Sequence, residues 1–283
     1  MINQIVILGR TGFIGAHLER SLSKNHPQIK VIGESFPALD LTQNTNVLRT
    51  CFDQNTAVIM CAAVKKQLGD NLENCEKNIT MVINVAKILQ EKPVQRFIYF
   101  SSAEVYGHQD HPPITEETPV QPTSYYGIAK YTAERILQKI MPQNVVILRP
   151  PQIYGVGDMP CYGPSGFIQA SRDQTPITLW GTGEEKREFI FVEDIVALVE
   201  KLIFSRYSGV LNLASGVSYS YQEILEILKD QAQLFPIVIS KARTLPKIDF
   251  YFNNQAIKNL FPSFKFTSLS EGIKKMNQRE NKF

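Results

Sequence analysis

Tyr126-Gly127-Ile128-Ala129-Lys130 sets a phenol and an ammonium four residues apart in a stretch patterned as a helix, so both lie on one face. A nearby cation lowers the pKa of a phenol, and such a phenol can give or take the proton that accompanies hydride transfer. Upstream, Ser101-Ser102-Ala103-Glu104-Val105-Tyr106-Gly107 follows an apolar run. That places hydroxyls at the carboxyl edge of a sheet, where open α/β folds bind ligands. Taken singly, Y-x-x-x-K is a common helical accident, and Ser-Ser after a strand is a common helix cap. Combined with a glycine loop, they are much harder to obtain by chance.

That loop is Gly9-Arg10-Thr11-Gly12-Phe13-Ile14-Gly15, between the first apolar run and a helical pattern. Glycines there let the backbone approach a pyrophosphate, and the helix N-terminus offers N–H groups and a positive dipole end. The spacing is G-x-x-G-x-x-G rather than G-x-G-x-x-G. The plain alternative is a tight turn with helix-packing glycines, although three glycines at one helix entry have few other uses. Glu34 lies 19 residues after Gly15. An acidic side chain there accepts hydrogen bonds from the ribose hydroxyls of NAD and repels a 2′-phosphate; the alternative is a solvated loop glutamate. Arg10 pulls the other way, since it can pair with a phosphate. NAD is favoured and NADP stays open.

These groups need a scaffold, and the apolar pattern supplies one. Gln4–Leu8, Ile29–Ile32, Ala57–Cys61, Phe97–Phe100 and Asn144–Leu148 read as short buried strands. Helical patterns cover Gly12–Ser23, Glu73–Gln90 and Ser124–Ile140. Strand–helix alternation predicts an α/β fold, a doubly wound parallel (Rossmann) sheet covered on both faces. After Arg149 the rhythm loosens. Residues 150–176 read as loop around a short helix, and Val192–Phe204 and Tyr221–Gln231 as helices, the second opened by a Ser220/Glu223 capping box. A short amphipathic helix begins at Leu269. The expected division is residues 1–150 as the dinucleotide-binding domain and 151–283 as a smaller substrate-binding region, packed on the first to form a cleft.

Composition bounds the partners. Across 283 residues, Lys plus Arg total 30 and Asp plus Glu 27, a net charge of +3. That gives no electrostatic case for nucleic acid or an anionic membrane. Hydrophobic residues make up 43%, enough for a sizeable core. The four cysteines, Cys51, Cys61, Cys75 and Cys161, are too widely spaced for a disulfide framework or a zinc cluster, and Cys61 reads as a small hydrophobe. No signal peptide or membrane-length apolar run is visible, so a cytoplasmic protein is the default. His108-Gln109-Asp110-His111 lacks a third metal ligand and reads as a solvated loop, and no metal is expected. Lys65 and Lys66 read as solvent-facing, with a nucleotide phosphate as the alternative.

At this point the chain resembles the extended short-chain dehydrogenases, the NAD-dependent epimerase/dehydratase family that works on sugar nucleotides. The resemblance spans nearly the whole chain: GRTGFIG, CAAV, FIYFSSAEVYG, YYGIAK, LRPPQIYG, WGTGEEKREFIFVEDI and the closing helix. It implies that Tyr126 is the acid/base and Lys130 its partner, and that Ser102 hydrogen-bonds the reacting sugar oxygen. The glycine loop (Gly9, Thr11, Gly12, Phe13, Ile14, Gly15), Glu34, Ala62 and Ala63 would hold the cofactor, with Asp40 and Leu41 at its adenine. Arg187 would grip the substrate diphosphate, for which an arginine fork is well suited. Trp180 would line the substrate site, and Gln152 stands where the family usually has Asn. Without the resemblance, Glu184, Glu185 and Glu188 would make Arg187 a surface ion-pairing residue. The resemblance also implies a homodimer through Glu73–Gln90 and Ser124–Ile140, whose apolar positions could equally be core.

Within the family, Ala103 replaces the Asp of 4,6-dehydratases, which counts against water elimination. Glu104 remains, either as an acid or base at a neighbouring sugar carbon or as a structural carboxylate taking local backbone N–H groups. The short stretch from Glu34 to Asp40 resembles 4-keto-sugar reductases, and WGTGEEKREF resembles GDP-fucose synthase, although Glu104 replaces that enzyme's cysteine. The expectation is an epimerase or 4-ketoreductase acting at sugar C4 of a nucleotide-diphosphate sugar. A 4,6-dehydratase, a small-molecule carbonyl reductase and a non-catalytic dinucleotide-binding protein are the alternatives.

Overall fold

The computed structural model describes residues 1–280 other than 44, 110, 111, 162 and 245. In chain order its elements are β1 (Gln4–Leu8), α1 (Phe13–Asn25), β2 (Lys30–Glu34), α2 (Leu48–Cys51), β3 (Thr56–Met60), α3 (Leu72–Glu91), β4 (Arg96–Phe100), α4 (Tyr125–Ile140), β5 (Val145–Arg149) and β6 (Gln152–Tyr154). There follow α5 (Gly163–Arg172), β7 (Ile177–Trp180), β8 (Lys186–Phe191), α6 (Val192–Ile203), β9 (Gly209–Asn212), β10 (Ser218–Ser220), α7 (Tyr221–Ala232), β11 (Val238–Lys241), α8 (Gln255–Leu260) and α9 (Leu269–Glu280). Two 3₁₀ turns, Lys66–Leu68 and Ala103–Tyr106, lie in the loops after β3 and β4.

The first compact unit is built on a six-stranded sheet in the order β2-β1-β3-β4-β5-β9. Strands β1 to β5 pair in parallel. All five residues of β3, of β4 and of β5 are buried, which is why these strands read as continuous apolar runs without alternation. Val6, Leu8, Val58, Met60, Phe97, Tyr99, Val145 and Ile147 share one core with Val82, Val85 and Leu89 of α3 and Ala133 and Leu137 of α4. The residues of opposite parity, among them Ile5, Ile7, Ile59, Ile98, Val146 and Leu148, are also buried, so both sheet faces are covered. Strand order reverses at β1, with β2 on one side and β3 on the other, the place where such sheets open a crevice at their carboxyl ends.

The chain leaves this unit at Pro150 and returns to it for Val196–Leu211. Long-range polar contacts fix the return. Arg96 of β4 donates to the carbonyls of Ser205 and Tyr207. Ser208 Oγ donates to the Val145 carbonyl at 2.9 Å, and Ser21 of α1 donates to Glu200 of α6 at 2.5 Å. None of these pairs is local in sequence, and the division at residue 150 had no means of anticipating them.

The second unit holds Pro151–Ile195, the chain from Asn212 onward and the short Ile114 segment, whose N–H and carbonyl bond Tyr251 and Asn253. It carries a three-stranded sheet in the order β10-β8-β6 and a parallel pair, β11-β7. Its core is aromatic and aliphatic: Tyr154, Phe167, Phe189, Phe191, Ile224, Leu228 and Ile273. The stretch expected to be loop from 150 to 176 carries β6 as well as α5. Ser220 accepts the Glu223 N–H at 3.1 Å while Glu223 accepts the Ser220 N–H at 2.6 Å, the reciprocal cap expected at the start of α7.

Leu137 is fully buried where α4 meets this first core. Leu137→Ala is expected to lower the unfolding free energy by about 2–5 kcal/mol. Urea unfolding measures it, and a loss below about 1 kcal/mol would contradict the packing described.

Candidate active site

At the end of β1 the backbone turns through Gly9, whose φ of +94° is a conformation that favours glycine. A Cβ at Gly9 would lie 2.7 Å from the Ala62 nitrogen, so only glycine lets the turn approach the end of β3 this closely. A side chain at Gly15 would run into the Gly9 carbonyl and Arg10. The Gly12 N–H closes the turn on the Gly9 carbonyl at 3.1 Å. Gly12 also N-caps α1 and gives it no side-chain cap, and α1 has no acidic residue in its first turn. By contrast α3, α4 and α7 are capped by Asn71, Ser124 and Ser220. The first-turn N–H groups at Phe13, Ile14 and Gly15 and the dipole of α1 therefore suit an external anion, which fits the pyrophosphate of a dinucleotide.

Glu34 ends β2 opposite Leu8 in register, and its carbonyl accepts the Gly9 N–H at 2.7 Å. The next residue, Ser35, accepts the Thr11 N–H on its hydroxyl at 3.0 Å. Arg10 lies along Gly33 and pairs with Glu19 at 2.9 Å. The arginine that could have answered a 2′-phosphate thus already has a carboxylate partner. Asp40 folds back on Thr42, accepting its N–H at 2.8 Å and its hydroxyl at 2.7 Å, and these bonds hold its carboxyl below the usual range. Leu41 is buried in the first core, with its carbonyl bonded to Asn84 Nδ2 at 3.0 Å. Ala62 and Ala63 follow β3, and the Ala62 N–H bonds the Leu8 carbonyl at 3.0 Å. Asn78, buried in α3, grips the next residue in both directions: it accepts from Val64 N–H at 2.8 Å and donates to its carbonyl at 3.0 Å. A polar side chain on the apolar face of a helix was the one sequence signal for Asn78.

The second cluster forms beyond β4. Ser102 caps the 3₁₀ turn Ala103–Tyr106 by accepting the Glu104 N–H at 3.2 Å. Ser124 caps α4 by accepting the Gly127 N–H at 3.0 Å, and Asp70 accepts the Tyr126 N–H at 3.0 Å. A Cβ at Gly127 would sit 2.7 Å from the Glu104 carbonyl oxygen, so the first turn of α4 lies directly against the Ser102 turn. Lys130 is buried, and its Nζ donates to the Phe100 carbonyl at 2.6 Å. The same Nζ lies 4.8 Å from the centre of the Tyr99 ring and 5.6 Å from that of Tyr126.

Burial draws the Lys130 ammonium down to about 8, against the pull of Cys61 and Glu134. The expectation that Lys130 would bring the Tyr126 phenol down needs correction. Burial, reinforced by the Glu104 carboxylate, pushes that phenol up instead. Desolvation is the dominant cause. Glu104 departs from the reading as a carboxylate that takes local backbone N–H groups: it takes side-chain donors, Lys66 Nζ at 2.8 Å and Ser124 Oγ at 3.4 Å, while its own N–H goes to Ser102. Lys66, expected to face solvent alone, is therefore part of this cluster. Burial pushes the Cys61 thiol up to about 12.

In the second unit, Gln152 opens β6, half-buried and paired with Phe189 of β8. Trp180 ends β7 and is 49% exposed. Arg187 of β8 donates to the carbonyls of Lys186, at 2.9 Å, and Ile248, and stacks 5.1 Å from the centre of the Phe250 ring. The ion pairing that might have consumed it goes elsewhere. Glu185 pairs with Arg243 at 2.6 Å and stands 3.9 Å from Arg187. Glu188 is buried and accepts the Ser215 and Gly216 N–H groups; burial pushes it up to about 7 against those bonds. Arg243, which also donates to the Trp180 carbonyl at 3.2 Å, carried no sequence signal beyond being a lone arginine in a loop. Among the described residues no cluster of His, Cys, Asp and Glu could hold a metal, and no helix is long and apolar enough to cross a membrane. Asp110 and His111 lie outside the described residues.

Residues 5–240 match the NAD dependent epimerase/dehydratase family. A putative UDP-glucose 4-epimerase of Methanocaldococcus jannaschii is 24% identical over 258 residues, covering 80% of this chain and 82% of that protein. A dTDP-D-glucose 4,6-dehydratase of Bos taurus is 25% identical over 279 residues, covering 87% and 77%. Among solved structures, a variant UDP-glucuronic acid 4-epimerase from Bacillus cereus, in complex with UDP-4-deoxy-4-fluoro-glucuronic acid and NAD, has a TM-score of 0.86 at 19% identity over 99% of both chains, a likeness of fold. With the glycine turn, the serine turn and the Tyr126–Lys130 pair at the carboxyl edge of one parallel sheet, the chain belongs to the NAD dependent epimerase/dehydratase family, of the extended short-chain dehydrogenase type.

Proposed function

We propose that this protein is an NAD-dependent 4-epimerase of a nucleotide-diphosphate sugar. The observation that carries the reading is the Lys130 ammonium buried on the Phe100 carbonyl beside the Tyr126 ring, with Ser102 in the adjoining turn. A protein that only binds a dinucleotide has no use for a desolvated cation in that place.

In this reading the Gly9–Gly15 turn and the uncapped start of α1 take the pyrophosphate through Thr11, Phe13, Ile14 and neighbouring N–H groups. Glu34 accepts the ribose hydroxyls, Asp40 and Leu41 meet the adenine, and Ala62 and Ala63 leave room beside the ribose and phosphates. When bound, the oxidised nicotinamide accepts a hydride from carbon and brings a positive charge that favours phenolate. Ionised to phenolate beside that charge and the Lys130 ammonium, Tyr126 would take the proton of the sugar C4 hydroxyl and become neutral, while Ser102 would orient the oxygen by a hydrogen bond. Return of the hydride to the opposite face of C4, with Tyr126 giving the proton back to the oxygen, would complete the epimerisation. Glu104, paired with Lys66, orients the sugar or exchanges a proton at a neighbouring carbon. In the second unit, Arg187 would hold the diphosphate, with Gln152 and Trp180 against the sugar. Pairing of two copies through α3 and α4 belongs to the same proposal, supported by the exposed Leu72, Ile83, Tyr125 and Ile128.

Tyr126→Phe is expected to keep NAD in place and to lower turnover of UDP-glucose to its 4-epimer by about 10²–10⁴-fold, because only the proton relay is removed. Turnover within a few-fold of the parent protein would refute the mechanism. Purified protein is expected to release NAD on denaturation, as an epimerase cycles its cofactor in place. An empty protein that binds NADH or NADPH on titration would point to a 4-ketoreductase, which shares the C4 half-reaction, and failure to bind any dinucleotide would overturn the catalytic reading.

Glu34→Ala tests the cofactor choice. Loss of a charged hydrogen-bond acceptor for the ribose is expected to weaken NAD binding on the order of ten- to a hundred-fold and to narrow the preference over NADP. Calorimetric titration of both dinucleotides reads it. An unchanged ratio would show that Glu34 faces solvent.

A further inference from the structure

Beneath the Tyr126–Lys130 pair lies a second charged pair that the proposed chemistry does not use. Glu134 follows Lys130 by one turn of α4 and is fully buried. Arg149, the last residue of β5, forks onto it: Nε reaches Oε1 at 3.0 Å and Nη2 reaches Oε2 at 2.6 Å. Ser101, the residue before Ser102, donates its hydroxyl to the same Oε1. The Arg149 guanidinium in turn stacks 4.8 Å from the centre of the Tyr106 ring, at the far end of the Ser102 turn. The next residue, Pro150, accepts the Ala103 N–H at 2.9 Å. One carboxylate thus ties α4 to the ends of β4 and β5 and, through Arg149, to both ends of the turn that presents Ser102.

The groups facing Lys130 narrow the source of its compensation. Cys61 approaches from the end of β3, Tyr99 from β4, and Tyr126 and Glu134 from α4 itself. Burial keeps the thiol and both phenols protonated at neutral pH. Glu134 is the carboxylate of this set, and the Arg149 fork takes both of its oxygens.

We propose that Glu134 is a positioning residue: its buried carboxylate fixes the Ser101–Ser102 turn through Ser101 and Arg149 and keeps Lys130 charged beside Tyr126. The inference rests on the reading above, in which Ser102 and Lys130 serve the reacting tyrosine. A surface carboxylate would supply neither function, because solvent would screen it and no fork would orient it.

The test uses the protein carrying isotope-labelled lysine side chains, followed by NMR against pH, with the Lys130 resonance recognised by its absence in Lys130→Met. The parent Lys130 is expected to titrate near 8. In Glu134→Gln its proton affinity is expected to fall about tenfold or more. Turnover of UDP-glucose should lose its alkaline limb by the same interval, with KM and NAD binding unchanged. Because Gln leaves Arg149 uncompensated in the core, the double variant Glu134→Gln, Arg149→Met removes the stranded charge; it is expected to regain the parent's thermal stability but not its Lys130 titration. An unmoved titration in either folded variant would overturn the proposal. Failure of both variants to fold would also overturn it, showing Glu134 to be a folding element and nothing more. Parent protein that bound no dinucleotide, or an active Tyr126→Phe, would defeat the proposed reaction while leaving the lysine titration to be judged separately.

Discussion

An ammonium taken out of water is among the costliest groups a fold can hold, and Lys130 is such a group. Its Nζ donates to the Phe100 carbonyl, just past the last residue of β4 that pairs with β3. Two aromatic faces and a buried carboxylate supply the rest. Each of these partners fixes something else. The carbonyl sets the height of α4 against the sheet. The Tyr99 and Tyr126 rings set its rotation. Glu134 requires Arg149, and Arg149 requires β5 beside β4. The arrangement of the site is in this sense a consequence of keeping one lysine charged in a dry place.

The opposite edge condition applies at β1. There the chain leaves donors without protein acceptors: α1 begins at a glycine that cannot cap it, and the turn before it approaches Ala62 closely enough to forbid a side chain. A helix start that lacks a cap, where α3, α4 and α7 have one, costs stability on the order of 1 kcal/mol, a cost offset where an anion completes the helix. The sheet brings the two conditions together. Parallel pairing forces the ends of β1 to β5 onto one edge, so an uncapped helix start and a compensated lysine share that edge even though more than a hundred residues separate them in sequence.

What the sequence made legible follows from this. Strands buried on both faces announce themselves as continuous apolar runs, and β1 to β5 were readable to within about two residues. Local chemistry was readable too: the glycine turn, the Ser220 cap, and Tyr126 one turn before Lys130. What stayed hidden is pairwise and distant. Glu134 and Arg149 look like surface charges until β5 is placed beside β4. Lys66 looks like a solvated lysine until the loop after β3 is set against the loop after β4. Asn78, Arg243 and the return of the chain for Val196–Leu211 are of the same kind. In the second unit the strands are three to six residues long, and β11 is exposed throughout, so neither length nor alternation marked them.

The electrostatic sign of Tyr126 was misjudged for a related reason, and the correction carries a mechanistic consequence. The Lys130 ammonium lies 5.6 Å from the centre of the Tyr126 ring, yet burial, with Glu104 nearby, drives the phenol up. A titration near 8 leaves Lys130 roughly 90% charged at pH 7. The protein alone therefore holds a charged lysine beside a neutral tyrosine. In the proposed reaction that tyrosine must ionise before it can take a proton, which further positive charge near its oxygen would favour; Lys66 is paired with Glu104, Arg149 with Glu134, and Lys130 donates to a carbonyl. In the proposed reaction, a cationic ring seated at the same edge of the sheet would supply that charge, which would tie the reactivity of Tyr126 to occupancy of the glycine turn.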